Sequence, residues 1–190
     1  MRTRRPRRSA RDGGFTLVEM LVVIGIITVV SATTVMVMPV ALLSARADSG
    51  AAQLVSILRV AREEAITQRR NVRVVFTSPN RIDVVRVEVP GPAVTTIDQV
   101  WLEGGFTYCL FSGIPDTPDA FGSAAALSFG GATSVAFTSS GEFVDQDGDP
   151  VNGTVFIGRG NQPLSARAVS VFGPTALIRE WRWNGSQWTN

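Results

Sequence analysis

The chain contains one uninterrupted stretch of 26 uncharged residues, Met20–Ala45, close to its amino end. A helix of that length spans about 39 Å at ~1.5 Å per residue, and a bilayer core needs roughly 20 apolar residues. Its apolar residues recur on every side of a helix, which is typical of a helix surrounded by lipid or protein. We therefore predict a membrane-spanning helix over 15–45. Pro39 predicts a kink or local melting within it, because proline removes a backbone donor.

The residues before this stretch carry a concentrated positive charge. Residues 1–14 contain six arginines against Asp12, a net +5, whereas 15–190 contain twelve arginines and fifteen acidic residues, a net −3. By the positive-inside rule the leader stays in the cytoplasm and the rest of the chain lies across the membrane. A cleaved secretory signal is the rival interpretation, but its apolar core is about 7–15 residues long and carries no acid. Here the run is longer, and Glu19 lies inside the apolar zone.

The composition excludes most enzyme classes. All 18 basic residues are arginine, there is no lysine or histidine, and Cys109 is the single cysteine. The chain therefore lacks a P-loop lysine, a Schiff-base lysine and a Ser-His or Cys-His pair. It can offer a zinc ion one sulfur ligand, and it cannot form an internal disulfide. We expect a protein that is not an enzyme and needs no cofactor.

Residues 46–190 have the composition of a globular domain, and they open with an amphipathic helix predicted over 46–70. Arg59, Arg62 and Glu63 lie away from its apolar stripe. The stripe follows spacings of four and three residues and is mostly alanine, which allows a close approach of whatever packs on it. Its members are Ala47, Ala51, Leu54, Leu58, Ala61 and Ala65.

After Asn71 the pattern changes to period two, which predicts strands. Val72–Phe76 and Ile82–Val89 flank the turn Ser78-Pro79-Asn80 and predict a hairpin. No helical pattern separates the strands, so antiparallel sheets are expected. Residues 112–132, rich in Gly, Ser, Ala and Pro, predict a long mobile loop outside the core. The further predicted strands are 99–103, 106–111, 133–138, 154–158, 167–172 and 176–183.

The sharpest motif is Gly13-Gly14-Phe15-Thr16-Leu17-Val18-Glu19, between the basic leader and the apolar helix. A small residue exposes the backbone to a protease, and an acid stands at the fifth position after it. This motif resembles the class III leader of the type IV pilin superfamily. The resemblance implies cleavage between Gly14 and Phe15 by a prepilin peptidase, N-methylation of Phe15, and a role for Glu19 in assembly.

The resemblance extends along the chain. Residues 58–66, followed by Val72, look like the helix-to-strand junction of the FimT/GspH group of minor pilins and pseudopilins. Residues 135–141 and the final strand 179–183 are similar to other signatures of that group. The resemblance implies an α+β fold, a long N-terminal helix packed on antiparallel sheets.

The implied function is that of a minor pseudopilin of type II secretion, with leader 1–14, filament-core helix 15–45 and periplasmic domain 46–190. The implied partners are other pseudopilins, the prepilin peptidase and inner-membrane lipid. Two alternatives stay open: a FimT-type minor pilin for pilus assembly or DNA uptake, and a membrane-anchored periplasmic binding domain.

Two weaker patterns invite a ligand. Asp145, Asp147 and Asp149 form a weak candidate for a calcium site, since hard cations take clustered carboxylate oxygens. A polar hairpin turn between Phe143-Val144 and Val155-Phe156 is the favoured interpretation. On the last strand, Arg179, Trp181 and Trp183 share one face, as a stacking platform for single-stranded nucleic acid would require. The mature charge of −3 favours tryptophans that cover a core instead, and it argues against nucleic acid as a partner.

Overall fold

The computed structural model describes residues 14–90 and 93–190. One long helix, α1, runs over Leu17–Gln68 and continues through Pro39, without the predicted local melting. The chain divides into two compact units, with the boundary between Ala41 and Leu42. The sequence had placed this boundary at residue 46. The basic leader lies outside the described residues except for Gly14.

The second unit contains eleven strands among its described residues, and all their pairings are antiparallel. The strands are β1 Val72–Thr77, β2 Arg81–Val87, β3 Val94–Trp101, β4 Thr107–Tyr108, β5 Leu127–Ser128, β6 Val135–Phe137, β7 Phe143–Val144, β8 Gly153–Gly158, β9 Arg167–Phe172, β10 Leu177–Trp183 and β11 Trp188–Thr189. Short 3₁₀ helices, Pro163–Ser165 and Gly173–Thr175, flank β9. The predicted α+β fold is confirmed.

The strands form two sheets. Sheet I has the order β3-β2-β1-β6-β7, and sheet II has the order β11-β10-β9-β8-β4. In sheet II, β4 pairs with the end of β8 at Thr107↔Gly158, and β5 pairs with its beginning at Leu127↔Val155. Two very short strands therefore share one edge of β8.

The alanine-rich stripe of α1 lies in the main core of the second unit, as predicted. All six of its residues are buried, and they pack with side chains of both sheets, among them Val72, Val84 and Val169. Small side chains let the helix backbone come close to the strands. Each buried leucine of the stripe adds roughly 1.5–3 kcal/mol relative to an exposed one.

Sheet II is covered on both faces, because side chains alternate along each strand. Val155 and Ile157 of β8 face the main core, whereas Phe156 between them belongs to a second apolar cluster. That cluster, the tryptophan core, consists of Phe156, Ala166, Ala168, Trp181, Trp183 and Trp188. The prediction that the tryptophans of the last strand cover a core is confirmed.

Helix α1 ends in a left-handed turn. Arg69 has φ 52°, the Arg70 amide donates to the Ala65 carbonyl at 3.1 Å, and the Arg69 amide donates to the Ile66 carbonyl at 3.3 Å. These two bonds form a Schellman motif, in which the left-handed position is usually glycine. An arginine there carries the steric cost of its Cβ.

Several strand boundaries differ from the predictions. β3 begins at Val94, earlier than the predicted 99, and β4 is two residues long where 106–111 was predicted. The short strands β5 and β11 were not predicted. In contrast, 167–172 was predicted as a strand and is β9.

Candidate assembly site

The predicted cleavage site lies in a non-helical, exposed segment that precedes α1. Gly14, Phe15 and Thr16 have no helical assignment, and all three are exposed. A Cβ added at Gly14 meets no atom within 4 Å, so the described structure places no steric demand for glycine there.

Thr16 caps the first turn of α1. Its Oγ1 accepts a hydrogen bond from the Glu19 amide at 3.2 Å, and its carbonyl accepts one from the Met20 amide at 3.1 Å. The sequence Thr-x-x-Glu is the pattern of a capping box, in which the first residue satisfies an otherwise unpaired amide. Glu19 thus stands in the first helical turn, where a negative charge is stabilised by the helix dipole. The Thr-x-x-Glu pattern is present in the sequence, but it was not among the predicted features.

Residues 17–34, in the first unit, present an exposed and largely apolar surface. Leu17–Thr34 is the one described segment long and apolar enough to cross a membrane, with a mean hydropathy of 2.2 and none of its residues buried. Three of its hydroxyls donate within the helix: Thr28 to the Ile24 carbonyl at 2.8 Å, and Thr33 and Thr34 to the Val30 carbonyl at 2.8 and 2.9 Å. An exposed surface of this size marks a contact with lipid or with other proteins.

In the second unit, the buried side chain of Arg167 binds the beginning of the globular part of α1. Its side chain is 0% exposed, and Nε donates to Oδ1 of Asp48 at 2.7 Å. Nη2 donates to Ser44 twice, at 3.3 Å to the carbonyl and 3.2 Å to Oγ. Nη1 donates to the carbonyls of Leu164 and Ala166. We call this set of contacts the Arg167 clamp.

Two further charged residues border the clamp. Arg182, on the neighbouring strand, donates to Oγ of Ser44 at 2.8 Å but is half-exposed. Burial raises the pKa of the Glu180 carboxyl, and the nearby negative charge of Asp48 raises it further, while Arg167 opposes both effects. The sequence did not predict this cluster, because its members are far apart along the chain.

Segment 112–132 is tied to the outer face of sheet II. The Asp119 carboxylate, 9% exposed, accepts hydrogen bonds from Ser170 Oγ at 2.5 Å, Trp181 Nε1 at 3.1 Å and Arg179 Nη1 at 2.5 Å. The segment also contains β5, and Leu127 and Phe129 pack against the main core. The expectation that this segment lies outside the core is therefore wrong.

The weak candidate for a calcium site has the geometry of a turn. Oδ1 of Asp145 accepts the amides of Asp147 at 2.9 Å and Asp149 at 3.0 Å. Within residues 14–90 and 93–190, no group of three His, Cys, Asp or Glu side chains is arranged to hold a metal ion. A bridge between Val144 and Pro150 closes the turn. The strands on either side of it, β7 and β8, belong to different sheets and do not pair with each other. The predicted hairpin between these two strands is therefore wrong.

The candidate platform for nucleic acid is not assembled. Trp181 and Trp183 are buried in the tryptophan core, where Trp183 and Trp188 make an edge-to-face contact with centroids 5.5 Å apart. Arg179 is 46% exposed, but it pairs with Asp119. The bases of a nucleic acid would find no exposed aromatic face on these two residues.

Comparison with known families decides the assignment. The sequence model described as "Type II transport protein GspH" matches residues 50–175, more than half of the chain. This chain belongs to the GspH family. A second match, the prokaryotic N-terminal methylation motif, covers residues 9–35. The GspH-family chain is thus a pilin-like protein of the GspH/FimT group, a minor pseudopilin or pilin of a type II secretion system or a type IV pilus.

Solved structures similar to this GspH-family chain include two minor subunits. The minor pseudopilin EpsH of the type 2 secretion system of Vibrio cholerae is 16% identical, with a TM-score of 0.48 over 72% of this chain and 97% of that one. The type IV minor pilin FimU of Pseudomonas aeruginosa is 17% identical, with a TM-score of 0.49 over 75% and 97%. Comparison with curated proteins finds no match.

Proposed function

We propose that this GspH-family chain is a minor pseudopilin of type II secretion, a structural subunit of a pseudopilus that takes part in protein export across the outer membrane. The match to the family described as a type II transport protein, over residues 50–175, carries the proposal. Before assembly, the apolar part of α1 is held in the inner membrane, with the globular domain in the periplasm. During assembly, the same apolar surface packs against neighbouring subunits.

Processing of the amino end is the first step of this function. The methylation motif covers the expected junction, and the junction itself is exposed and non-helical. We infer that a prepilin peptidase cleaves between Gly14 and Phe15 and that the new amine of Phe15 is methylated. Mass spectrometry of the protein from cells with an active peptidase should find Phe15 as the methylated first residue. A plain membrane anchor with a periplasmic binding domain would keep residues 1–14.

Glu19 is the residue on which assembly should depend most. A charge at membrane depth costs up to about 2.5–3.5 kcal/mol at the helix centre and less near its end, whereas the helix dipole returns typically about 0.3–1 kcal/mol. A fixed positive partner would offset the rest, and the Phe15 amine of a neighbouring subunit is the natural candidate. That pairing would also set the axial step between subunits.

The test of this role compares Glu19→Leu with the wild-type chain. We expect membrane insertion and cleavage at Gly14 to remain intact, because neither needs the charge, while crosslinking to other pseudopilins is lost. Glu19→Asp is the matched control, since it keeps the charge and should keep part of the crosslinking. Wild-type crosslinking of Glu19→Leu would show that Glu19 is only a tolerated boundary charge.

Deletion of the gene distinguishes a role in type II secretion from a role in a type IV pilus. In a type II role, deletion lowers the amount of exported protein in the medium and leaves surface pili unchanged. The wild-type chain restores export, whereas Glu19→Leu does not. In the FimT-type alternative, deletion lowers piliation or DNA uptake, and export continues. The second result would overturn the proposal.

A further inference from the structure

A cavity of about 380 Å³ lies on the outer face of sheet II, between the end of β9, the beginning of β10 and the segment that Asp119 holds. Its size is within the range of roughly 300–1,000 Å³ that is typical of ligand pockets. We call it the Arg179 cavity. Its lining residues are Asp119, Phe121, Phe172, Thr175, Leu177 and Arg179.

The apolar side chains of the Arg179 cavity remain open to solvent. Phe172 is 39% exposed and Leu177 is 48% exposed, and the ring of Phe172 stacks on that of Phe121 with centroids 6.2 Å apart. A pocket for a small molecule usually covers roughly 70–90% of its ligand. An open cavity with exposed apolar walls fits better a single side chain of a protein segment that continues over the surrounding surface.

Arg179 brings a positive charge to this cavity. Its Nη1 donates to Oδ1 of Asp119 at 2.5 Å, whereas its Nε and Nη2 make no hydrogen bond with residues 14–90 or 93–190. The Asp119 carboxylate also accepts from Ser170 and Trp181, and its side chain is 9% exposed against 46% for Arg179. The charge that faces solvent is therefore positive. Nε and Nη2 together form a fork that can donate two parallel hydrogen bonds to one carboxylate.

The backbone at both sides of the cavity is held in strained conformations. Ala120 has φ 54° and Ala176 has φ 48°, and they are two of the three non-glycine residues with a positive φ in the described part of the chain. This conformation is unfavourable for a residue with a Cβ, and such strain concentrates at binding sites. The Ala120 amide donates to the Thr117 carbonyl at 2.9 Å, and the Ala176 amide donates to the Gly173 carbonyl at 3.3 Å. The cavity is thus preformed, which lowers the entropic cost of binding.

We propose that the Arg179 cavity binds a segment of a partner protein that places an apolar side chain directly beside a carboxylate. The apolar side chain packs against Phe172 and Leu177, and the carboxylate accepts hydrogen bonds from Nε and Nη2 of Arg179. A nucleic acid fits less well, because Arg179 is the one cation among the described lining residues and residues 15–190 carry a net charge of −3. The proposal adds a recognition site to the role of a filament subunit and holds for either kind of filament.

Peptide binding to the full-length protein in detergent tests the proposal. The probes are acetylated and amidated tetrapeptides with Phe-Asp or Leu-Asp at their centre. The matched controls contain Phe-Asn or Leu-Asn, which keep the shape but not the charge. In amide NMR spectra of isotope-labelled protein we expect saturable shifts at Leu177 and Arg179 with a Kd below about 10 mM. The asparagine peptides should bind at least about fivefold more weakly.

Variants of the cavity separate its apolar wall from its charge. Leu177→Ser shortens the wall and should weaken binding of the aspartate peptides at least about fivefold. Leu164→Ser is the matched control, because Leu164 is 49% exposed but lies outside the cavity, and it should leave binding unchanged. Arg179→Gln should remove the preference for aspartate over asparagine peptides, and this comparison is made within one variant.

Three results would overturn the inference. The aspartate peptides could show no saturable binding, or the asparagine peptides could bind the unaltered chain equally well. Alternatively, oligothymidylate could shift the cavity resonances where the peptides do not, which would identify a site for nucleic acid. None of these results depends on the export or piliation of a deletion strain, so failure of this inference is distinguishable from failure of the proposed function.

Discussion

The Oγ1 atom of Thr16 accepts the amide hydrogen of Glu19, at 3.2 Å, in the first turn of α1. The residue expected to supply the assembly charge is therefore also the residue whose amide is capped. Capping fixes where the helix begins, and hence the position of the Glu19 carboxylate relative to Phe15. Thr16 and Glu19 act as one local structure.

Removing the cap should loosen that structure. Thr16→Val has a similar shape but no acceptor, and loss of an N-cap typically costs about 0.5–2 kcal/mol of helix stability. We expect amide exchange of Glu19 and Met20, whose amides donate to Thr16, to become faster in detergent-solubilised protein, with the rest of α1 unaffected. Thr16→Ser retains the acceptor and should behave as the unaltered chain; equal exchange in the valine variant would show that the cap has no energetic role.

Arg69→Gly should stabilise the second unit. Arg69 has φ 52°, a conformation that costs about 1–2 kcal/mol for a residue with a Cβ. Glycine avoids this cost but has a more flexible unfolded state, so we expect a net gain of about 0.5–1 kcal/mol. Thermal unfolding of the full-length protein in detergent measures this gain in the free energy of unfolding. Arg69→Ala removes the same charge but keeps the Cβ, and an equal gain in that variant would point to charge rather than backbone strain.

The sequence was informative where local patterns decide the structure. The alanine stripe of α1 is visible as a period of three and four residues, and the hairpin of β1 and β2 as two alternating runs around Ser78-Pro79-Asn80. It was uninformative for β5 and β11, since two residues cannot show a period. β3 was placed too late, because its first residues are exposed and its pairing with β2 shifts register between Val84 and Val85.

Side-chain contacts between residues far apart in the chain could not be predicted from the sequence alone. An arginine at the beginning of a strand, such as Arg167, looks like an exposed charge until the fold brings Asp48 and Ser44 against it. Asp119 likewise lies in a segment whose composition resembles a loop. Only the folded sheet shows that Ser170, Arg179 and Trp181 converge on its carboxylate.

Asp119→Asn should therefore destabilise the protein. The amide keeps the shape of the carboxylate but weakens three hydrogen bonds, two of which come from buried side chains, and bonds to charged groups contribute about 1.5–3 kcal/mol each at most. We expect a loss of about 1–3 kcal/mol and faster amide exchange in residues 112–132. Asp147→Asn, at an exposed turn carboxylate, is the control and should change the stability little. Unchanged exchange in Asp119→Asn would contradict the view that Asp119 ties this segment down.

Glu180 should make stability depend on pH. Burial and the charge of Asp48 raise the pKa of Glu180 in the folded protein, so the folded state binds this proton more tightly than the unfolded state does. This contribution to stability is fully present below the ordinary glutamate pKa and is lost as the pH rises through the raised, folded-state pKa. The unfolding temperature of Glu180→Gln, measured from acidic to neutral pH, should therefore rise relative to the unaltered chain as the pH increases. A constant difference across that range would contradict this assignment.

The pairing of Arg167 with Asp48 joins residues 119 positions apart in the chain. A polypeptide made from its amino end has the whole alanine stripe long before β8, β9 and β10 exist to cover it. Until then the stripe is an exposed apolar surface that continues from the apolar first part of α1, and such surfaces favour aggregation. We expect chains that stop before Trp183 to be removed by proteolysis rather than to accumulate. Quality control of this subunit would then be a matter of timing, since its last strands arrive to protect a helix that was among the first parts made.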